Sequence, residues 1–589
     1  MSVIAGFATA SDRYPDAVAV LDDAGPLTYR ELALAAGGVA AALGDPTPGG
    51  GRTGLLLGHG APFATGMLGT LAAGRSYVPL DPGYPRDRLA HMLDRADVDT
   101  VVAGRAHLDL AADLLGDRPV RLLVAEDVAP APLVVREADP DAPAYILFTS
   151  GSTGLPKAVA QTGRNLARCV ANQVAALAVT AGDRVSLLAS FSFDAAIPDL
   201  YPALLTGATV VPVDLRRHGL ARLATLLAER RVTVYHSTPT VYRFLLDSLG
   251  PADRLPLIRA VLLGGEEMTR SDVERGLRRF AGDCVFVNGY GATEFTFATH
   301  HHVTGPLPDG EQVPIGRPLP GYEVLLRDGE IVVRSPYLAP GYWRDPELTA
   351  TRFFTDDGVP AYRTGDLGHL LPDGTLVHLG RADRQVKVRG HRVELGEVEA
   401  HLAALPGVVR AVAVPRRDPA AGTEIHAYVQ AGAVAPSVAE LRAGLALRLP
   451  EHLLPRWITL LDALPLTESG KVDLLALPDV STVPRPRSAP LDSESARAVA
   501  EVWSVVLGVA VRSPADNFFD LGGTSLLLAR VQRDLAARGI GLPMVTLIEH
   551  PTVSALAAHL DGRSAGPQLT AVTDRLARRR AARRDRAAT

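Results

Sequence analysis

Cysteine is almost missing from this chain: Cys169 and Cys284 are the only two in 589 residues. With no paired Cys/His spacing, they exclude a disulfide framework and a structural zinc site, and they fit a reducing cytoplasm. Aromatic residues make up only 5% of the sequence, and lysine is scarce. No apolar run approaches the ~18–20 residues of a bilayer span, so no membrane partner is expected. The opening stretch Met1 to Ala10 is mildly apolar but carries no basic residue, and it does not read as a signal peptide. A formal charge of only −5 offers no electrostatic footprint for nucleic acid.

What is present describes a globular protein of several parts. The chain is 47% hydrophobic and 21% charged, and at ~100–200 residues per domain its length allows three to five folding units. Over residues 1–382, short β-branched runs such as Thr209 to Val213 and Val232 to Tyr235 alternate with helical patterns such as Leu220 to Arg230. That rhythm predicts a large α/β part with parallel strands covered by helices. Residues 383–478 have their own pattern: Val386 to Val388, a helix at Leu395 to Leu405, then Val408 to Val414 and Ala427 to Val429. They predict a small α+β part. Residues 479–490 hold three prolines without periodicity and read as a linker. Residues 491–562 are nearly all helical by pattern, with Ala496 to Leu507, Ser525 to Arg538 and Val553 to Leu560 separated by Gly/Pro loops. An all-α bundle of four-helix type follows. The remainder, 563–589, is an Arg-rich tail, with seven arginines between Asp574 and Thr589. It reads as disordered and solvated, or as a docking element.

Five strings carry chemistry. The first is Thr149-Ser150-Gly151-Ser152-Thr153-Gly154-Leu155-Pro156-Lys157, after the apolar run Tyr145 to Phe148. Its glycines let a backbone approach closely, its hydroxyls and N–H groups suit phosphate oxygens, and Lys157 adds a positive charge. It is not a Walker A loop, because Leu-Pro-Lys replaces Gly-Lys-Ser/Thr. The second, Asn288 to Glu294, offers Glu294 as a hard oxygen ligand for Mg²⁺ on ATP phosphates. The third, Tyr362 to Leu367, presents Asp366, a carboxylate able to accept from two ribose hydroxyls, although a lone Asp in a turn is ordinarily a turn-former. Gly380 to Asp383, with Arg381, stands at the junction of the two α/β parts. Thr467 to Lys471 puts Lys471 on a glycine-containing turn, where a lone lysine is solvated by default. Separately, Ser525 follows Phe518-Phe519-Asp520-Leu521-Gly522-Gly523-Thr524; taken alone, a serine at a helix start is an N-cap.

In this order and spacing the strings resemble the amino-acid adenylation domains of nonribosomal peptide synthetases, within the adenylate-forming superfamily. The likeness runs from Leu27-Thr28-Tyr29-Arg30-Glu31-Leu32, through Leu71 to Asp81, to Lys471, and residues 491–562 resemble a peptidyl carrier domain. The resemblance implies that the Thr149–Lys157 loop holds ATP phosphates, that Glu294 binds Mg²⁺, and that Thr293 lies near the α-phosphate. It implies that Asp366, with Arg381, holds the ribose, that Lys471 bridges the substrate carboxylate and the α-phosphate, and that Asp194 pairs with the substrate α-amino group. Asp383 matches the hinge of a mobile small domain, and Gly390 to Glu394 the segment that lines a pantetheine tunnel after rotation. Ser525 matches the attachment point of 4′-phosphopantetheine.

The activity so implied is that an α-amino acid is activated with Mg-ATP as aminoacyl-AMP and passed to the thiol on the chain's own carrier domain. The partners implied are the amino acid, a phosphopantetheinyl transferase, a separate downstream condensation or tailoring enzyme, and a small helper protein in some cases. No room is left for a condensation or thioesterase domain. A loader of aryl or fatty acids is the first alternative, opposed by Asp194, which would then face an amine-free substrate unpaired. The second is a non-catalytic carrier with a scaffold adenylation half. Two departures from the family pattern stand out, Ala158 where glycine is usual and Ala292 where proline is usual. Ala158 matters if its backbone needs a positive φ.

The pocket positions matched are Ala195, Pro198, His236, Leu262, Gly264, Gly289, Phe297 and Ala298. None is acidic or permanently cationic, so a charged side chain is disfavoured. Pro198, Gly264 and Gly289 are expected to leave room and Phe297 to give an apolar wall, which points to an aromatic or branched aliphatic amino acid. His236 is either a structural histidine or a partner for a substrate hydroxyl. For the tail, deletion of residues 574–589 is expected to leave loading of the carrier unchanged. Unaltered transfer of the loaded amino acid to its downstream partner after truncation argues against docking.

Overall fold

The computed structural model describes residues 2–562 apart from 46–49, 137–138, 152–153, 304–311, 419–421, 433, 466–471, 475, 479–489, 520 and 524, with the backbone alone for Asp418, Ser525, Leu526 and Val545. Among these residues, packing defines two compact units. One comprises Met1–His218, Arg222–His401 and Gly444–Leu454; the other comprises Gly219–Ala221, Leu402–Ala443 and Pro455–Thr589.

The first unit is built on two large mixed sheets. In the nine-stranded sheet, six parallel strands run from Val285–Ala292 through Ala260–Gly264, Val234–Ser237, Arg184–Leu187 and Thr209–Pro212 to Val18–Asp22. Antiparallel strands close both edges, Gly25–Thr28 on one side and Thr296–Val303 followed by Arg317–Pro318 on the other. The six-stranded sheet is parallel except for its last pair, Pro143–Thr149 with Lys157–Thr162. Nearly continuous apolar strands such as Ala260–Gly264, buried at every position, follow from helices covering both faces. The helix Tyr29–Leu43 packs there, started by a capping box in which the Thr28 hydroxyl accepts from Glu31 N and Glu31 accepts from Thr28 N. The family-like string Leu27 to Leu32 is thus first of all a helix start.

A five-stranded antiparallel sheet, Glu323–Arg327, Glu330–Arg334, Phe353–Asp356, Val359–Leu370 and Leu376–Arg381, completes this body and was not foreseen. The hairpin Gln385–Val388 and His391–Glu394 packs with the same unit. The second unit holds the three-stranded sheet Val408–Asp418, Gly422–Ala431 and Trp457–Leu461. It also holds the helices Glu494–Leu507, Ser525–Ala537, Met544–Glu549 and Val553–Leu560. Trp503 and Phe518 are fully buried in their centre. The α/β, α+β and all-α parts expected from the pattern are all present; the fourth helix of the bundle, the short Met544–Glu549, was not located in the sequence.

Candidate active site

Parallel strands expose their backbone ends and following loops at one edge, where ligands gather. A cavity of about 490 Å³ opens there in the first unit. Thr149, Ser150, Asp194, Ala195, Pro198, His236, Gly264, Thr293, Phe297, Asp366 and Arg381 all line it. Residues from strings far apart in sequence are therefore neighbours.

The loop from Ser150 to Pro156 joins two antiparallel strands, with Thr149 opposite Lys157. Gly154 has φ of +86°. A Cβ on Gly151 would stand 2.0 Å from the Leu155 carbonyl oxygen, so only glycine closes this turn. Ser152 and Thr153 lie outside the described residues, as does Lys471. Ala158 sits in the strand Lys157–Thr162 and has no positive φ, so the departure from glycine costs no backbone strain.

Lys157 Nζ lies 3.4 Å from Glu294 Oε1 and 4.8 Å from the centre of the Tyr342 ring. Arg392 Nη1 stands 2.9 Å from Glu294 Oε2, and the Tyr342 hydroxyl donates to Oε1 at 2.9 Å. Burial by itself would raise the Glu294 carboxyl; Arg392 and Lys157 override it and hold it near 2. Burial pulls Lys157 down to about 8, helped by Arg392 and opposed by Glu294. Glu294 is therefore an ionised, fully buried carboxylate, the donor type that Mg²⁺ takes when phosphate and water oxygens supply its other ligands. Among the described residues no group of three or more His, Cys, Asp or Glu could hold a metal alone.

Asp366 accepts from the Tyr290 hydroxyl at 2.6 Å and from Arg381 Nη1 at 2.5 Å. Despite burial its carboxyl is held well below the usual range, with His378, Lys387 and Arg381 supplying the positive field. Asp383 pairs with Arg381 at 2.7 Å and Arg352 at 3.2 Å, between the strands Leu376–Arg381 and Gln385–Val388. Asp194 Oδ2 accepts from the Thr293 hydroxyl at 2.9 Å, and burial raises its carboxyl. A substrate ammonium would reverse that cost by pairing with it.

Three residues placed at the site escaped the sequence reading. Lys387 lines the cavity between Asp194 and Asp366. The chain has three lysines in all, Lys157, Lys387 and Lys471, against 57 arginines (60 basic residues less three). Lysine survives where a compact point charge is wanted in a confined space, and that scarcity was the available signal. Arg392 lies inside the Gly390–Glu394 string, but its grip on Glu294 needs the fold. Asp199 is the third: its Oδ1 meets His236 Nδ1 at 2.8 Å, with both side chains buried, while Oδ2 has no partner.

The pocket floor also differs from expectation. A Cβ on Gly289 would stand 2.5 Å from Phe297 Cε1, and one on Gly264 would stand 3.5 Å from it. Gly289 makes room for the Phe297 ring, which fills the space that glycine was expected to leave to substrate, whereas Gly264 lines the cavity at ordinary contact distance from the ring. Leu262 and Ala298 are fully buried beneath the cavity and do not line it. Cys169 borders the cavity, but burial pushes its thiol up to about 12, which rules out a thiolate nucleophile.

In the second unit Ser525 begins the helix Ser525–Ala537. Gly522 has φ of +83°, and a Cβ there would come within 2.7 Å of Trp457. Gly523 is packed as tightly on Phe518. The glycines thus fix the chain directly before the serine, and a helix start suits a group carrying a phosphodiester.

Comparison with known proteins agrees with this geometry. Residues 7–343 match the AMP-binding enzyme family, 397–471 its C-terminal domain, and 497–560 the phosphopantetheine attachment site family. The chain is 34% identical over 576 residues to novobiocin biosynthesis protein H of Streptomyces niveus, covering 92% of this chain and 93% of that one. It is 34% identical over 585 residues to tyrocidine synthase 3 of Brevibacillus parabrevis, 94% of this chain but only 9% of that protein. The chain therefore spans a small fraction of some curated relatives. The solved structure of holo-PA1221, an NRPS protein containing adenylation and PCP domains bound to a vinylsulfonamide inhibitor, is similar with a TM-score of 0.80. It is 27% identical and covers 96% of this chain and 98% of that one.

Proposed function

This chain belongs to the AMP-binding enzyme family and carries a phosphopantetheine attachment domain, and from that premise we propose that it activates an uncharged α-amino acid and loads it onto its own carrier. The observation that supports this most is the convergence of Asp194, Glu294, Lys157 and Asp366 near one cavity. Asp194 is set to take the α-ammonium, and Thr293 fixes its carboxylate. Lys157 and the loop N–H groups serve the β- and γ-phosphates, with Glu294 to hold Mg²⁺ and Asp366 with Arg381 to hold the ribose. Lys471 is assigned the charge that develops between substrate carboxylate and α-phosphate. Asp383 is assigned the hinge. The arm on Ser525 supplies a thiol that takes the acyl group as a thioester.

Incubating the holo chain with ATP and substrate tests this by intact-protein mass. The expected result is a gain of one aminoacyl group; no gain with any amino acid contradicts the proposal.

The substrate side chain is proposed to be uncharged and limited in depth by Phe297, with a hydroxyl favoured. His236 Nδ1 is occupied by Asp199, which leaves Nε2 for the cavity. Asp199 Oδ2 has no partner, and burial raises that carboxyl, so the His–Asp pair suits a hydroxyl better than a second ion. His236→Ala is expected to cost a hydroxylated substrate ~1–3 kcal/mol in kcat/KM, and its deoxy analogue less. Pyrophosphate exchange with tyrosine against phenylalanine, and threonine against valine, reads the difference. Strong exchange with aspartate, glutamate, lysine or arginine would contradict the pocket assignment.

A further inference from the structure

Two described donors of the Thr149–Lys157 loop, the Ser150 hydroxyl and Gly151 N, are engaged by protein in this structure, while the Thr149 hydroxyl is buried without a partner. Gly151 N donates to Glu397 Oε2 at 3.1 Å. The other oxygen, Oε1, meets Arg88 Nη1 at 2.9 Å, across 309 residues of chain. Glu397 is fully buried and Arg88 is 7% exposed. The Ser150 hydroxyl donates to the Arg392 carbonyl at 2.6 Å and accepts from Glu394 N at 3.1 Å. His401 Nε2 lies 3.0 Å from the Gly154 carbonyl oxygen. Arg392 shares Glu294 with Lys157. The Ser150 hydroxyl and Gly151 N, two groups that the loop would turn toward a phosphate, are thus met by the segment from Gln385 to His401.

A carboxylate accepts from backbone N–H groups much as a phosphate oxygen does, and charge-assisted bonds of this kind are the strong ones. We propose that Glu397, held by Arg88, is a positioning residue that stands in for a nucleotide phosphate at the Thr149–Lys157 loop after pyrophosphate leaves. Phosphate binding and the seating of residues 385–401 then exclude each other, and their exchange orders the two half-reactions. The proposal rests on the reading of the chain as an adenylate-forming ligase. Arg88 Nε is buried without a partner, so the pair is held less completely than a permanent structural bridge. A latch that must release every turnover needs such a modest hold, because each state has to be reachable within a few RT.

Occupied donors act as a tax on ATP. The apparent affinity falls by the fraction of molecules in which the loop is free, so weakening the latch tightens ATP. Glu397→Gln keeps the shape and removes the charge. In pyrophosphate exchange its KM for ATP is expected to fall about three- to tenfold, the scale of one hydrogen bond's net contribution, since glutamine keeps the acceptor and loses only the charge. Single-turnover transfer from supplied aminoacyl adenylate to the holo carrier is expected to slow about tenfold. Arg88→Lys keeps the cation and loses the planar fork, and it is expected to show the same opposed pair of effects more weakly. It also serves if Glu397→Gln does not fold. A loss of both half-reactions together, or an unchanged KM for ATP with unchanged transfer, would overturn the latch. A wild-type chain that exchanges no pyrophosphate would overturn the ligase reading itself, and the latch with it.

Discussion

Ser525→Ala is expected to abolish covalent loading while leaving amino-acid-dependent pyrophosphate exchange at the wild-type rate. Adenylation is proposed to need the groups around the cavity of the first unit together with Lys471, and not the arm on Ser525, which belongs to the helical part of the second unit. The serine is the first residue of the helix Ser525–Ala537, where alanine is a strong helix former, so the substitution leaves a folded domain. Co-expression with a phosphopantetheinyl transferase followed by intact-protein mass measurement checks it. A mutant chain that still gains the arm would place the attachment elsewhere.

Lys471→Ala is expected to slow adenylate formation by roughly 10²–10³-fold, the scale for losing one partner of a developing charge. Arginine supplies nearly all the positive charge of this chain, and only three positions keep lysine. Two of them are half-buried and carry depressed pKa values, Lys387 lining the cavity and Lys157 beside Glu294. Lys471 is proposed to join them during adenylation alone. In the arrangement seen, the carboxylate of Glu294 is served by Arg392 and Lys157. Transfer from a supplied adenylate is therefore expected to lose much less than adenylation. Single-turnover assays of the two half-reactions separate them, and equal damage to both would sink the two-arrangement account. Glu397→Gln is expected to show the reverse pattern, and together the two variants test the ordering from both sides.

Much of this architecture was legible because its signals are local. Helical period marked Glu494–Leu507 and Val553–Leu560, and apolar runs marked the buried parallel strands. Motif residues at strand ends fell on the cavity because loops after parallel strands converge there. The five-stranded antiparallel sheet escaped because its strands do not alternate cleanly; Val359–Leu370 has an irregular burial pattern broken by a register shift between Leu367 and Gly368. Met544–Glu549, six residues long, is too short to show a period.

The misses at the site have a common cause, which is pairing across the fold. Asp199 finds His236 across 37 residues, and Arg88 finds Glu397 across 309. The fate of Gly289 depended on register: a shift between Tyr290 and Gly291 puts Phe297 opposite Gly291, with its ring over Gly289. Nothing in the residue types alone says whether a glycine yields its space to a ligand or to a neighbouring ring.

The central claim, that this chain activates an amino acid, is tested most directly by ATP–pyrophosphate exchange over a panel of amino acids, aryl acids and fatty acids. The account predicts exchange that depends on an uncharged α-amino acid and vanishes when its α-amino group is removed, because Asp194 then loses its partner. Exchange driven by an aryl or fatty acid, or none with any member of the panel, would contradict it.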